Sequence, residues 1–145
     1  MPSLVLLALP ALAMAGAPSV SGAWARATPP GVSVGAAYLT ITGGSANDRL
    51  LGANTDRASM VQLHTVEESN GVAAMRQIDG VPVPAGKRVV LAPGGTHIML
   101  MGLSGPLVAG ETFPLQLRFE NAGEQVIQVT VRAAGEPDPA APAAR

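Results

Sequence analysis

Short segments in which apolar and polar residues alternate recur along most of the chain. The clearest spans positions 34 to 42, where Ala37, Leu39 and Ile41 fall on one side of an extended strand. No segment has the 3.6-residue period of an amphipathic helix. The pattern therefore predicts an all-β domain. Comparable strand segments occupy residues 48–55, 59–66, 72–78, 88–92, 96–103, 113–120 and 125–132.

Turn-forming residues separate the predicted strands. Asn70-Gly71 is typical of a tight hairpin, so the strand carrying His64 is expected to lie beside the strand carrying Met75. The segment 121–123, Asn-Ala-Gly, is expected to join the last two strands. Short strands at this spacing favour an antiparallel β-sandwich or barrel.

The two ends of the chain differ from the part that is rich in strands. Residues 4–12 form a short apolar stretch followed by small residues, as in a signal peptide, although no Lys or Arg precedes it. The competing interpretation is a buried strand or an N-terminal arm. Residues 134–145, mostly Ala and Pro, are expected to be disordered. The predicted organisation is a signal peptide over 1–17, a β-sandwich domain over 18–133 and a tail, in an exported protein without a membrane span once mature.

Composition narrows the possible chemistry. Charged residues make up 13% of the chain and the net charge is −1, so no basic field is present to bind nucleic acid. The chain has no cysteine, which excludes disulfides, thiolate nucleophiles, zinc–thiolate sites and the blue-copper site. A site for a soft metal must therefore use thioether sulfur and imidazole nitrogen.

The histidines and methionines provide such donors. His97 and Met99 are two residues apart in one predicted strand and share a face, while the hairpin brings Met75 towards His64. Thioethers favour Cu(I) over zinc, magnesium or calcium. The competing interpretation is that each methionine fills the core and each histidine is an ordinary polar residue. Met101 is interpreted as a spare ligand or an apolar neighbour of the metal.

Three further residues are interpreted without a direct role in binding metal. Met60 is predicted to belong to the core. Glu67 and Glu68 are predicted to be solvated hairpin residues, with a role in orienting an imidazole as the alternative.

The spacing of His64, Met75, His97 and Met99 is H-x10-M-x21-H-x-M. This spacing resembles the signature of the periplasmic copper-A chaperone (PCuAC) family without a gap. The resemblance extends over about residues 23–131 and includes the segments 23–31, 36–39, 93–103 and 106–107.

The resemblance implies both a fold and a function. The implied fold is a cupredoxin-like Greek-key antiparallel β-sandwich, and the implied Cu(I) ligands are His64, Met75, His97 and Met99. The implied function is that of a periplasmic, non-enzymatic chaperone. Its copper would go to the copper-A centre in subunit II of cytochrome oxidase, in some cases alongside Sco-type proteins.

Two other functions compete with that of a copper chaperone. One is a copper-dependent redox enzyme, because an exposed copper ion can cycle between oxidation states. The other is a structural extracellular β-sandwich in which the four residues are incidental. A hydrolase or nucleotide-binding enzyme is disfavoured, since the sequence has no nucleophile elbow, glycine-rich phosphate loop or HExxH motif.

Overall fold

A computed structural model describes residues 16–133, and this part of the chain consists of strands and loops without a helix. The all-β class predicted from the sequence is confirmed. The ten strands are β1 (Ser19–Arg26), β2 (Val34–Thr42), β3 (Asp48–Asn54), β4 (Ala58–Ser69), β5 (Val72–Ile78), β6 (Val81–Val83), β7 (Arg88–Leu91), β8 (His97–Leu103), β9 (Thr112–Phe119) and β10 (Gly123–Arg132).

The strands form one hydrogen-bonded path in the order β5-β4-β8-β2-β1-β10-β9-β3-β6, and β7 pairs with the second half of β2. Strand β1 joins the two layers of the sandwich, because it pairs with β2 on one side and with β10 on the other. The β1–β10 pair is parallel, and all other pairs are antiparallel. The prediction of an antiparallel sandwich therefore holds except at this one junction.

Side chains from both layers meet in a single apolar core. In β8, Ile98 and Leu100 are fully buried in it, and in β4 the neighbouring Leu63 is buried as well. Successive side chains in a strand point to opposite faces of the sheet. The core positions of β4 and β8 therefore direct His64, His97 and Met99 to the outer face.

The predicted hairpin between β4 and β5 is confirmed. Ser69 pairs with Val72, and the two residues between them have positive φ angles of 54° at Asn70 and 79° at Gly71. Positive φ at both central positions defines the turn type that Asn-Gly favours. The turn predicted between the last two strands is also present, since Gly123 pairs with Phe119.

Strands β1 and β6 were not predicted from the sequence pattern. In β1, the pairing register shifts between Ser21 and Trp24, and Gly22 has a φ of 63°, so the side chains do not alternate regularly. Strand β6 has only three residues, and one of them is Pro82. Proline is typical of edge strands, and β6 lies at the edge of the sheet.

The predictions for the chain ends concern residues that the structure largely does not describe. Of the predicted signal peptide over 1–17, only Gly16 and Ala17 are described, and the predicted tail over 134–145 lies outside the described part. Between residues 16 and 133 there is no helix of the length and apolarity needed to cross a membrane.

Candidate metal centre

The outer sides of β4 and β8 bring most of the predicted ligands together. The antiparallel register forms three rows, in which His64 lies opposite His97, Gln62 opposite Met99 and Met60 opposite Met101. Directly opposed residues of an antiparallel pair lie on the same face of the sheet. We call the surface formed by these six residues the His–Met face.

The two imidazoles are close neighbours. The ring centroids of His64 and His97 are 5.9 Å apart and the ring planes are inclined by 29°. A metal–imidazole bond is about 2.0–2.1 Å long, so two rings that share one ion have centroids roughly 6 Å apart. The separation of the rings therefore suits a shared ion. Tyr38 borders His97 on the side of β2, with a centroid distance of 6.3 Å.

A hydrogen bond to the backbone indicates which tautomer the neutral His97 ring adopts. Its Nδ1 lies 3.0 Å from the carbonyl oxygen of Gly95, which can only accept a hydrogen bond. Nδ1 therefore carries the proton, and the lone pair is on Nε2. The side chain is only 5% exposed, so packing and this hydrogen bond together hold the ring in place.

The contact of His64 with Gln62 indicates which ring nitrogen of the neutral imidazole carries the proton. The Gln62 amide donates from Nε2 to the Met60 sulfur at 3.2 Å, which turns its Oε1 towards His64 Nε2 at 2.9 Å. His64 Nε2 therefore donates, and Nδ1 holds the lone pair. That Nδ1 is buried and has no hydrogen-bond partner within residues 16–133. Leaving a buried polar atom unsatisfied costs about 1–3 kcal/mol, and a bound ion would remove that cost.

The surroundings of His64 favour its neutral form. Burial disfavours the protonated imidazole, and a positive charge on His97 disfavours it further, so the pKa of His64 is lowered from its ordinary value. Only a neutral imidazole has a lone pair for a metal. His64 in this position is therefore chemically able to bind a metal through Nδ1.

Met99 is the thioether next to the histidine row. It is half-buried, two residues from His97 on the same face, with Gln62 on one side and Ala36 of β2 on the other. Met99 is therefore placed as the two-residue spacing predicts.

Met75 lies on the same side of the sheet but further away. It is 53% exposed on the edge strand β5 and pairs with Val66, so it is diagonal to His64. Met75 and Met99 are separated by two strand steps and four residues, which corresponds to about 16 Å between Cα atoms on a flat sheet. The structure does not place Met75 next to Met99.

The structure also decides the interpretation of three other residues. Met60 is 53% exposed, so its prediction as a core residue is wrong, because it shares the outer face with Gln62 and His64. Glu67 forms an ion pair with Arg76 across the hairpin, and both side chains are largely exposed. Glu68 is also exposed.

Sequence reasoning missed the two groups that orient the imidazoles, the Gln62 amide and the Gly95 carbonyl. The signal for Gln62 was its position two residues before His64, on the same face. The signal for Gly95 was weaker, because a backbone carbonyl is not a feature of the residue type.

The donors that converge here are imidazoles and thioethers. Among residues 16–133, no three of the His, Cys, Asp and Glu side chains come together as a group that could hold a metal. Carboxylate-rich groups suit calcium and magnesium, whereas imidazole with thioether suits Cu(I). The residues present therefore fit a soft monovalent ion.

Residues 19–131 match the family described as "LpqE-like: Putative lipoprotein LpqE-like". A protein named "Putative lipoprotein Lxx21020", from Leifsonia xyli subsp. xyli, is 39% identical over 114 residues. This alignment covers 78% of the present chain and 68% of the relative.

Solved structures that share the fold include two copper-bound forms. The copper-bound PCuAC domain from PmoF2 superimposes with a TM-score of 0.70 at 28% identity, covering 82% of this chain and 95% of that one. The Cu(I) form of DR1885 from Deinococcus radiodurans gives a TM-score of 0.65 at 34% identity, covering 79% and 78%. These likenesses confirm the expected cupredoxin-like β-sandwich.

Proposed function

The chain belongs to the LpqE-like family, with PCuAC domains as structural relatives, and from this premise we propose that it binds Cu(I) and carries it in the cell envelope. The observation that carries the proposal is the pairing of His64 with His97 on the outer face, with Met99 one row away. Two of the structural relatives are copper-bound. These relatives and the imidazole and thioether donors together support Cu(I) as the proposed cargo.

We propose that His64, His97 and Met99 hold the ion and that Met75 is the fourth ligand. Met75 is diagonal to His64 on an exposed edge strand, and methionine has three rotatable bonds. Its approach requires a rotamer change together with bending of the β4–β5 hairpin. The spacing shared with the PCuAC signature supports this role.

The chemistry of the donors suits transfer as well as binding. All four ligands are neutral, so the Cu(I) complex keeps the charge of the ion, and a thioether is a weak enough donor to be displaced by a competing ligand. Of the two proposed thioether ligands, Met75 is exposed to solvent and Met99 is half-buried. An acceptor protein can therefore approach the thioether side while the buried His97 still holds the ion.

Competition with a chromophoric Cu(I) chelator tests the proposal. We expect one tightly bound Cu(I) in the wild type and a loss of at least about tenfold in affinity for His64→Asn or Met99→Leu, since removing even a residue that supports a ligand typically costs 10–100-fold. Gln128→Ala, at an exposed position of β10, is the polar control and should keep the wild-type affinity. Wild-type affinity in both ligand variants would refute the site.

X-ray absorption distinguishes the role of Met75. The wild type is expected to show two sulfur and two nitrogen neighbours of copper, and Met75→Leu is expected to show one sulfur. An unchanged sulfur shell in Met75→Leu would remove Met75 from the ligand set and leave the other three.

A turnover assay separates a carrier from a copper-dependent redox enzyme. With ascorbate and oxygen as substrates, a carrier should consume oxygen no faster than the same concentration of chelated copper. Sustained oxygen consumption above that level, lost in Met99→Leu, would favour the enzyme.

We propose the copper-A centre of cytochrome oxidase subunit II as the destination of the copper, with a Sco-type protein as a second partner. The PCuAC resemblance supports this destination, and the lipoprotein names of the family and of its 39% identical relative support a location outside the cytoplasm. Mixing the Cu(I)-loaded protein with the metal-free soluble domain of subunit II should transfer copper. Retention of all copper by the carrier would refute this destination.

A further inference from the structure

One row of the His–Met face contains no histidine. Met60 on β4 lies directly opposite Met101 on β8, and Met99 precedes Met101 by two residues on the same face. Directly opposed Cβ atoms are about 4.5–5.5 Å apart, and residues i and i+2 of a strand are about 6.8 Å apart. Three thioethers therefore occupy adjacent positions of the sheet.

The hydrogen bond of Gln62 shows where the Met60 sulfur lies. Gln62 Nε2 donates to Met60 Sδ at 3.2 Å, and Gln62 is the residue directly opposite Met99. The Met60 side chain thus turns towards the row of Met99. This orientation brings its sulfur nearer to Met99 and towards the histidine row.

The chemistry of this group differs from that of the histidine row. Its donors are thioethers alone, which are neutral and polarizable and compete poorly for zinc, calcium or magnesium. The metal ions that suit this group of donors are Cu(I) and its analogue Ag(I). Met60 is 53% exposed and Met101 is half-buried, so an ion can reach the group from solvent.

We propose that Met60, Met99 and Met101 form a second, sulfur-only site for a soft monovalent ion, next to the histidine site and sharing Met99 with it. The proposal rests on the proposed function for the identity of the natural ion, Cu(I). A site without imidazole is expected to bind more weakly than the histidine site. It therefore serves as a point of entry or exit for the ion.

Movement of the ion between the two sites is a ligand exchange. The bond from copper to Met99 is kept while the bonds to the two imidazoles and to the Met75 sulfur break and bonds to the Met60 and Met101 sulfurs form. Copper stays Cu(I) throughout, and no proton is released because every ligand is neutral. The shared Met99 lets the ion move without passing free through solvent.

Titration with Ag(I), followed by NMR of methionine methyl and histidine ring signals, tests the second site. The first equivalent is expected to shift the signals of His64, Met75, His97 and Met99. The second equivalent is expected to shift Met60 and Met101, and Met99 again, while Met75 does not respond to this step. Met60→Leu should weaken the second step at least tenfold, and Val126→Leu, an exposed apolar control on β10, should leave it within twofold.

The outcomes separate this proposal from that of the carrier. Binding of a single equivalent, or a second step that is unchanged in Met60→Leu and in the Met60→Leu, Met101→Leu double variant, would overturn the second site. Leucine keeps the size and apolarity of methionine, and Met60 is exposed, so the single variant does not depend on how well the core tolerates change. A first equivalent that leaves the His64 and His97 signals unmoved would instead overturn the histidine site.

Discussion

Asp48 provides a quantitative test of how the sandwich is held together. Its side chain is buried at the start of β3. Its Oδ1 accepts hydrogen bonds from the backbone N–H of Arg49 at 2.8 Å and of Asn121 at 2.9 Å, and its Oδ2 accepts one from Ala122 at 2.9 Å. The carboxylate thereby fixes the turn between β9 and β10. Asp48→Asn places an NH2 group opposite one of these donors and removes the negative charge.

The magnitude follows from the number of bonds lost. A hydrogen bond to a charged group contributes about 1.5–3 kcal/mol. Asp48→Asn loses at least one such bond, so we expect the free energy of unfolding to fall by about 1.5–3 kcal/mol. For a domain of this size, a loss of that order lowers Tm by roughly 10 °C. Asp56→Asn, at an exposed carboxylate in the loop between β3 and β4, is the control and should change stability by less than about 0.5 kcal/mol.

The pH dependence gives an independent check. Burial alone raises the pKa of Asp48, but the backbone hydrogen bonds, first among them that from Asn121, outweigh burial and hold the pKa below its ordinary value. The unfolded state therefore binds the proton more readily. The stabilisation is fully present above the unfolded pKa of about 3.9 and is lost as pH falls through the lower folded pKa.

Urea unfolding at pH 7 and pH 3, followed by the fluorescence of the single buried Trp24, measures this difference. The gap in unfolding free energy between wild type and Asp48→Asn should be large at pH 7 and smaller at pH 3. A gap of equal size at both values would show that the negative charge is not the cause. A gap below about 0.5 kcal/mol at pH 7 would show that the three hydrogen bonds contribute little.

Three further predictions concern the metal centre and its supporting hairpin. Met99→Leu should change the free energy of unfolding by less than about 1.5 kcal/mol while Cu(I) affinity falls. Thermal unfolding measures the stability and chelator competition measures the affinity. An unfolded variant would mean that Met99 is a core residue. Cu(I) affinity should fall as pH decreases, because protons compete with copper for the imidazoles. The lowered pKa of His64 keeps that ring neutral to a lower pH than free histidine. An affinity that does not change between pH 5 and pH 8 would exclude imidazole ligands. Gly71→Ala should destabilise the domain by roughly 1 kcal/mol, because alanine at a φ of +79° is strained; unchanged urea unfolding would show that the hairpin tolerates the strain.

The sequence predicted most of the sheet because local signals agreed with the final structure. Asn70-Gly71 favours one turn, and that turn fixes the register between β4 and β5. The alternation in β8 likewise separates Ile98 from His97 and Met99. Non-local pairings have no such signal, so the parallel contact between β1 and β10 and the direct pairing of His64 with His97 had to come from the structure. The exposure of Met60 agrees with its position two residues before Gln62 on the outer face, whereas its prediction as a core residue rested on the general frequency of methionine in protein cores.

The location of both imidazoles on neighbouring hydrogen-bonded strands has a consequence for repeated use. In a small zinc-dependent domain, loss of the metal unfolds the chain, and each new loading must include refolding. Here the backbone that supports His64 and His97 is maintained by the ladder between β4 and β8 and by the core beneath it. The two imidazoles therefore stay in place for the next ion after the previous one has left, and the remaining motions are the side-chain rotations of the methionines and the bending of the β4–β5 hairpin that carries Met75.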